Sequence, residues 1–421
     1  MLLCALAVFL SSFPESGFII ICAASPFFGL FPRPSLTAGI CVLSVAAGFF
    51  VRFATGRRSL YSANGGIPFV LLFAAVFMSA FGVGRQSVLP AFATCAMMLG
   101  FPLAVNLLRD GKRLEFFASA MNFSVLAVSA VGIVQFVAGL APSGWTDFST
   151  FPGIGARVTS VFDNPNILAS WLGCVFPFTL YSVYEGRGKA RASGVFTAVC
   201  AALCSALTFS RNGWIGLLTG GLVFLLFVSF KYILLIPGTA LGAALFGLIF
   251  KDSVGRRLIR FFSLSDSANA YRVKVWHGAL QAAKHCLLTG AGAGDAAFKS
   301  VYTVYCLSGT ETAVHAHSIY LQQLISTGLP GLVFLVCFFA VMIRTAVGAF
   351  GRAGKGDSLL ILGAAGFAGA AAMMVTGLFD NVFYSYRTLF TFWTVCGAAL
   401  SAFAAGCSGD GGLPGSPSEP F

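Results

Sequence analysis

The feature that most constrains this chain is a succession of apolar runs, each about as long as the hydrocarbon core of a bilayer is thick. A transmembrane helix needs about 20 predominantly apolar residues, and eleven runs meet this requirement. They lie at 36–54, 65–83, 87–108, 114–138, 164–184, 192–209, 212–230, 232–250, 329–346, 358–379 and 384–405. Pro14 and Pro26 interrupt the first 31 residues, which add one further span or two half-spans. We therefore predict an all-α, polytopic membrane protein with about twelve transmembrane helices.

Composition and charge agree with a membrane protein and argue against a nucleic-acid-binding one. Hydrophobic side chains make up 57% of the chain and charged ones only 10%, which excludes a soluble globule of ordinary composition. The net charge of +12 comes mostly from Lys and Arg in short loops between the apolar runs, where such residues orient a protein in the membrane. We expect the membrane as a partner and no nucleic acid.

The distribution of Lys and Arg between alternate loops predicts the orientation. If the N-terminus is cytoplasmic, the short inside loops carry twelve of these residues and the short outside loops carry five. The twelve are Arg57, Arg58, Arg109, Lys112, Arg113, Arg187, Lys189, Arg191, Lys231, Arg344, Arg352 and Lys355, and the five are Arg33, Arg85, Arg157, Arg211 and Arg387. This excess follows the positive-inside rule. Both termini are therefore expected in the cytoplasm, and the long 251–319 loop outside.

The apolar runs and the loops between them divide the chain into five predicted parts. They are N-terminal transmembrane helices (1–140), core transmembrane helices with arginine motifs (141–250), an extracytoplasmic loop with histidines (251–328), C-terminal transmembrane helices (329–405) and a cytoplasmic tail (406–421). The tail is rich in Gly, Ser and Pro and is predicted to be disordered. Cys286 and Cys306 share the outward loop, and the sequence leaves open whether they form a disulfide.

Two of the four histidines lie in the stretch from His315 to Gly331, at the foot of a hydrophobic helix. Residues of this stretch fall at i, i+3, i+4 and i+7, the spacing of one helix face. They are His317, Tyr320, Leu321 and Leu324. Gly328 is expected to end this surface helix, and Pro330 to stand in the first turn of the next span. The pattern therefore predicts a titratable imidazole at the membrane boundary.

Four arginines stand at outward positions: Arg157, Arg211, Arg272 and Arg387. Snorkelling to the lipid headgroups is an alternative interpretation of Arg157 and Arg387. Arg211 lies in a very short turn between two spans, where desolvation costs up to ~3 kcal/mol unless an anion compensates. Guanidinium groups pair bidentately with phosphate oxygens, so these residues indicate a phosphate-bearing substrate.

A departing diphosphate needs positive charge, either from arginines or from a metal ion that carboxylates hold. The acidic residues near the outer boundary are scattered singly in the sequence. They are Asp163, Asp252, Asp266, Asp295, Glu311 and Asp380. We therefore predict that arginines act without a metal, and we expect no cofactor.

Several short motifs now stand in a fixed order along the chain. They are Arg157 followed by Asn164-Pro-Asn166, Ser210-Arg-Asn-Gly-Trp214, Arg272-x-x-x-Trp276 with the glycine-rich run 288–294, His317-Ser-x-Tyr-Leu321, and Gly328-x-x-Gly-Leu332. In this order they resemble the bacterial O-antigen ligase/polymerase superfamily, over roughly residues 150–345. The resemblance implies a GT-C-like arrangement of helices, a location in the bacterial plasma membrane, and an active site on the extracytoplasmic face.

The resemblance also implies an activity and assigns roles to residues. Members of the superfamily transfer a glycan from a polyprenyl diphosphate carrier, such as undecaprenyl diphosphate, to an acceptor hydroxyl. Carried over by position, His317 is the general base, Arg211 and Arg272 bind the diphosphate, and Arg157 is a weaker candidate for diphosphate binding. His315 is the rival base, but two residues away on a helix it is expected to point elsewhere. An imidazole with a pKa of about 6.5 suits proton abstraction from a sugar hydroxyl.

This chain departs from the superfamily pattern at two positions, and its function has alternatives. The superfamily usually has His-Asn where this chain has His317-Ser318, and Ser-Arg-Gly where it has Ser210-Arg-Asn. We predict a metal-independent, inverting glycosyltransferase of the O-antigen ligase type. A polymerase of repeat units is the first alternative, and a flippase of lipid-linked oligosaccharides is the second. A flippase is disfavoured because its polar residues would line a path through the spans.

Overall fold

The computed structural model describes residues 2–82, 85–142, 144, 156–231, 267–352 and 357–408. Within these ranges the regular elements are helices, and nine of them are long and apolar enough to cross a membrane. An all-α, polytopic membrane protein is therefore confirmed. The predicted span 232–250, the loop segment 251–266 and the tail beyond residue 408 lie outside the described residues, so twelve spans and the five-part division remain predictions.

The described helices follow one another with short connections. The first seven are α1 (Leu2–Ser12), α2 (Pro14–Ala24), α3 (Pro34–Ala54), α4 (Gly66–Met78), α5 (Val88–Met98), α6 (Gly100–Leu107) and α7 (Gly111–Val137). The remaining eight are α8 (Pro165–Glu185), α9 (Lys189–Leu207), α10 (Arg211–Val228), α11 (Ser267–His285), α12 (Asp295–Tyr302), α13 (Ile319–Arg352), α14 (Ser358–Thr376) and α15 (Tyr386–Cys407). Short 3₁₀ turns cover Ser25–Leu30, Ser79–Phe81, Arg85–Ser87 and Val382–Tyr384.

Most of the predicted spans coincide with these helices. The N-terminal segment forms two half-length helices, α1 and α2, which are separated before Pro14, one of the two outcomes that the sequence allowed. The run at 65–83 yields only the 13 residues of α4 and then a 3₁₀ turn, too short for a full span by length alone. Pro14 is tolerated in the first turn of α2 because an N–H at that position would have no partner inside the helix.

Helices α8, α10 and α14 pack closely through small residues. A Cβ atom at Gly213 would collide with Ala169, one at Gly216 with Thr376, and one at Gly369 with the carbonyl oxygen of Cys174. In a membrane, where lipid tails weaken the hydrophobic drive for helix association, such close backbone approach supplies dispersion contacts. These contacts fix the ends of α8, α10 and α14 relative to one another.

Several helix ends meet at one end of the bundle, which we name the site end and define as residues 156–166, 208–211 and 377–387. The Asn212 side chain at the start of α10 donates to the Thr376 carbonyl at the end of α14, at 2.9 Å. The Asn164 side chain before α8 donates to the Tyr384 hydroxyl before α15, at 3.1 Å. Loops far apart in sequence are therefore adjacent in space.

A small lobe formed by α11, α12 and the first turns of α13 packs at the site end. It has an apolar core of its own, in which Val275, Phe298, Tyr302 and Ile325 are buried. Within α13 the backbone leaves helical geometry at Gly328, where φ is 71° and ψ is −173°. The glycine separates the lobe segment from the span, which confirms the break that Gly328 and Pro330 predicted.

Cys286 and Cys306 are both free thiols in the structure. The Cys286 side chain is buried in the lobe, and its Sγ faces the Ala282 carbonyl oxygen at 3.6 Å. The Cys306 Sγ instead faces the Thr303 carbonyl oxygen, at 3.2 Å. Each thiol therefore has a local backbone partner, and the lobe is held by its apolar core.

Candidate active site

His317 lies in a turn before α13, where its backbone has a φ of 46°. Helix α13 begins at Ile319, and the Ser318 carbonyl accepts the first hydrogen bond, from the Gln322 amide at 2.9 Å. The prediction that His317 lies on a helix face is therefore wrong, because the helix begins two residues later. The left-handed turn is the physical reason, because it redirects the chain before the helix starts. The turn directs the imidazole toward the loop that follows α14.

Hydrogen bonds hold both the imidazole ring and the backbone of His317. Its Nδ1 lies 3.1 Å from Oδ1 of Asp380. Its carbonyl oxygen accepts from the Trp276 indole N–H at 3.1 Å, and its backbone N–H donates to Nδ1 of His315 at 3.3 Å. With Nδ1–H donated to the carboxylate, Nε2 is the ring nitrogen that accepts a proton. The imidazole thus has the tautomer and the orientation of a general base.

Asp380 connects His317 with the arginines. Its Oδ2 lies 3.7 Å from Nη2 of Arg272 and 3.5 Å from Nδ2 of Asn166, and its Oδ1 accepts from the Asn381 amide at 2.9 Å. Burial alone would raise the pKa of this carboxyl, but the hydrogen bond from His317 and the charge of Arg272 lower the pKa to about 2. Asp380 is therefore ionised at neutral pH.

Sequence reasoning missed this role of Asp380. The residue has no acidic neighbour in the sequence, and its partners lie 63 positions away at His317 and 108 away at Arg272. The available signal was its position, since it directly follows a span at the boundary where the histidines and arginines were also expected. A lone carboxylate at a membrane boundary needs a cationic partner.

Arg157 lies in the same cluster as Arg211 and Arg272. Its Nε donates to the Thr208 carbonyl at 2.8 Å, and its Nη2 donates to the Asn166 side chain at 2.8 Å. Burial, followed by repulsion from Arg272 and Arg211, lowers the pKa of Arg157 to about 10, so it stays charged at neutral pH. The three guanidinium groups thus lie within electrostatic range of one another, and Asp380 is the carboxylate that influences Arg157 and pairs with Arg272. Such a cluster of positive charge suits an anionic ligand.

Arg211 is the first residue of α10 and directly follows the short turn after α9, as the sequence predicted. The Ser210 hydroxyl caps the helix by accepting from the Gly213 amide at 3.3 Å. Phe209, just before the cap, has a φ of 48° and turns the chain sharply. The positive end of a helix dipole therefore adds to the guanidinium charge at this point.

Arg387 has a structural role. It is 4% exposed, and it donates to the Val161 carbonyl at 2.8 Å and to the Asp163 carboxylate at 2.6 Å. Its guanidinium also lies over the Phe162 ring, 4.7 Å from the centroid. The snorkelling interpretation is therefore wrong for Arg387, which instead anchors the segment that leads from Arg157 into α8.

His315 lies beside His317, contrary to the prediction that it points elsewhere. The two imidazole centroids are 4.3 Å apart, and the His315 ring stacks on Tyr384 with centroids 5.0 Å apart. The prediction was wrong because it assumed a helix through both residues, whereas the turn at His317 brings their rings together. Burial, followed by the repulsion that a protonated His317 ring would exert, lowers the pKa of His315 to about 4, so its imidazole is neutral at neutral pH.

His315, His317 and Asp380 have ligand atoms that lie within 4.8 Å of one another, a set that could hold a metal ion. Two observations disfavour this use. The His315 Nδ1 already accepts an N–H, and Arg272 with Arg157 places cationic charge beside the only carboxylate of the set. A dication would have to overcome this repulsion. The arrangement suits an anionic ligand better.

Replacement of Asp380 should change the pH dependence of stability. Its pKa in the fold, about 2, lies below the ordinary value near 3.9, so the ionised group stabilises the fold above pH ~4 and loses this effect as the pH falls toward 2. In Asp380→Asn, thermal unfolding in detergent should therefore occur at lower temperature than in wild type at pH 7, by a margin that shrinks at pH 3. An equal margin at both pH values would contradict the assigned ionisation.

Comparison with known proteins relates part of the chain to a protein family. No individual curated protein matches the chain significantly. The family model described as O-antigen ligase matches residues 196–336. This range contains Arg211, Arg272 and His317 and excludes Arg157 and Asp380. The match supports the resemblance to the O-antigen ligase/polymerase superfamily that the motifs predicted, over about a third of the chain.

Proposed function

We propose that the chain is a membrane glycosyltransferase that moves a glycan from a polyprenyl diphosphate carrier to an acceptor hydroxyl in cell-surface polysaccharide biosynthesis. The observation that carries this proposal is the pairing of His317 with Asp380, 3.1 Å apart, beside three arginines at one end of the helix bundle. One part of this arrangement can remove a proton, and the other can stabilise a departing diphosphate.

In the proposed reaction Nε2 of His317 accepts the proton of the acceptor hydroxyl. The hydroxyl oxygen attacks the anomeric carbon and forms the new glycosidic bond. The bond between that carbon and the diphosphate oxygen breaks, and the diphosphate leaves with the electron pair. Because this is a single displacement, the anomeric configuration inverts. Arg211 and Arg272, with Arg157 beside them, neutralise the charge that grows on the leaving diphosphate.

Asp380 acts through His317 in this proposal. Its carboxylate accepts a hydrogen bond from the Nδ1–H of His317, so the hydrogen of the neutral ring stays on Nδ1 and Nε2 is left unprotonated. When Nε2 takes up the proton, the same carboxylate stabilises the resulting imidazolium. Asp380 thereby supplies an orienting contact for His317 in a chain that has Ser318 where the superfamily usually has asparagine.

The position of the cluster suits a lipid-linked donor. The site end lies at the termini of α8, α10, α14 and α15, each of which is long and apolar enough to span a bilayer. A polyprenyl tail would lie in the hydrocarbon while its diphosphate reached the guanidinium groups at the boundary. The positive-inside distribution supports the outer face of a bacterial plasma membrane as the location of the site.

Ligation and polymerisation share this donor chemistry and differ in the acceptor. We propose ligation of a finished glycan as the preferred function, and polymerisation of repeat units as the alternative. Transport of the lipid-linked donor is less well supported. The His317–Asp380 pair and the three arginines Arg157, Arg211 and Arg272 gather at one end of the described bundle, whereas a translocation path would place such groups along the spans.

Substitution of the arginines and of the histidine should separate binding from chemistry. Arg211→Lys and Arg272→Lys keep a charge but lose the planar fork, so affinity for the diphosphate donor should fall. His317→Ala removes the proton acceptor and leaves the arginines in place. It should bind donor and lose transfer by about 10²–10⁴-fold, the range of a general base. Donor binding and glycan transfer would be measured on purified protein in lipid nanodiscs.

Matched controls lie elsewhere in the chain. His277→Ala removes an exposed histidine from α11, and Arg191→Lys alters an exposed arginine whose partners are backbone carbonyls at the opposite end of α8. Both controls should bind and transfer like wild type. Normal transfer by His317→Ala at equal membrane abundance would show that the imidazole is not the base.

Metal independence gives a further test of the role of the arginines. Because guanidinium groups supply the positive charge, transfer should continue in excess EDTA and should not rise when Mg²⁺ or Mn²⁺ is added. The transfer rate before and after chelation is the measurement. Loss of transfer in chelator, with recovery on addition of a divalent cation, would contradict this part of the proposal.

A further inference from the structure

The His317 backbone adopts a conformation that side-chain-bearing residues rarely use. Its φ of 46° lies in the left-handed region, which is uncommon outside glycine, although histidine enters it more readily than most residues. Such a conformation persists when neighbouring contacts hold it. The direction of the imidazole depends on this turn, so the contacts that hold the turn also determine where Nε2 stands.

His315 makes the contact that closes the turn. Its Nδ1 accepts the backbone N–H of His317 at 3.3 Å, a hydrogen bond from residue i+2 to the side chain of residue i. Asparagine and aspartate side chains close turns in the same way. The acceptor atom is separated from Cα by the same number of bonds in histidine Nδ1 and in asparagine Oδ1.

The His315 ring is itself held in place. It is 8% exposed and stacks on the Tyr384 ring at an interplanar angle of 16°. The Tyr384 hydroxyl accepts from the Asn164 side chain at 3.1 Å, which ties this ring to the segment before α8. The orientation of Nδ1 is therefore fixed from the site end of the bundle.

The surroundings of His315 keep that nitrogen able to accept a hydrogen bond. A protonated imidazole has only donors. The ionisable and charged groups that influence His315 are His317, Asp380 and Arg272, and burial has the largest effect. Burial, with Arg272 and with His317 when its ring is protonated, outweighs the opposite effect of Asp380, so the His315 ring is neutral and Nδ1 retains its lone pair.

We propose that His315 is a positioning residue, whose Nδ1 holds the His317 backbone in the left-handed turn and thereby directs Nε2 of His317 toward the acceptor hydroxyl. This inference rests on the proposed function, in which His317 is the base. It gives His315 a role distinct from that of a second base, because the nitrogen that could accept a proton already accepts the His317 amide. Asp380 orients the ring of His317, and His315 orients its backbone.

Two substitutions at His315 separate the hydrogen bond from the ring. His315→Asn keeps an acceptor at the position of Nδ1 and removes the ring that stacks on Tyr384. His315→Phe keeps a stacking ring of similar size and removes the acceptor. Transfer kinetics and donor affinity of both variants would be measured in nanodiscs with the lipid-linked donor, beside wild type and His317→Ala.

If the hydrogen bond positions His317, His315→Asn keeps most of the wild-type kcat. In His315→Phe the kcat should fall by about 10²-fold, the loss that a displacement of a reacting group by about 1 Å produces. The donor KM of both variants should stay near wild type, because the arginines are untouched. Bound donor at wild-type affinity also shows that each variant is folded.

Other results would overturn the inference. Wild-type kcat in His315→Phe would show that the acceptor is unnecessary. A loss in His315→Asn as large as that in His315→Phe would show that the imidazole itself is required. His317→Ala distinguishes this failure from failure of the proposed function. If His317→Ala transfers normally, the proposed function is wrong, whereas an inactive His317→Ala with a fully active His315→Phe refutes the positioning role alone.

Discussion

The buried carboxylate of Asp380 is the group on which the candidate site depends. A charge of this kind is costly at a membrane boundary unless cations and hydrogen-bond donors surround it. Asp380 meets this requirement by contacts with His317, Arg272 and Asn166, which belong to three different parts of the chain. One buried charge thereby brings together the proposed base and part of the proposed anion-binding group. The close packing of α8, α10 and α14 places the loops near enough for these contacts to form.

Much of the fold followed from the sequence because its signals are local. Runs of apolar residues predicted the spanning helices, since a helix alone satisfies its backbone groups in lipid. The turn at Arg211 was predicted because only a few polar residues separate two such runs. The break at Gly328 was predicted because glycine permits the left-handed backbone that ends a helix, and proline cannot continue the helix that precedes it. Each of these predictions needed only the residues nearby.

The features that the sequence did not yield depend on distant residues or on one dihedral angle. Asp380 could not be linked with His317 by spacing, because tertiary packing alone brings them together. The helix predicted through His315 and His317 failed because the left-handed turn has no strong sequence signal when the residue is not glycine. Arg387 was ambiguous because its partners, among them Asp163, lie in loops that meet only in the folded bundle. Periodicity carries no information about these contacts.

The central claim is that arginines bind the donor diphosphate while His317 faces the acceptor, and a structure with a bound donor analogue tests it most directly. The measurement is a cryo-EM structure in nanodiscs with a lipid-linked diphosphonate in which a CH₂ group replaces the oxygen between the anomeric carbon and phosphorus, so that the glycan cannot be transferred. The account predicts diphosphonate oxygens about 3 Å from the guanidinium nitrogens of Arg211 and Arg272. Nε2 of His317 should face the anomeric carbon from the side opposite the diphosphonate. A diphosphonate held by a metal ion on His317 and Asp380, or bound at the other end of the bundle, would contradict the account.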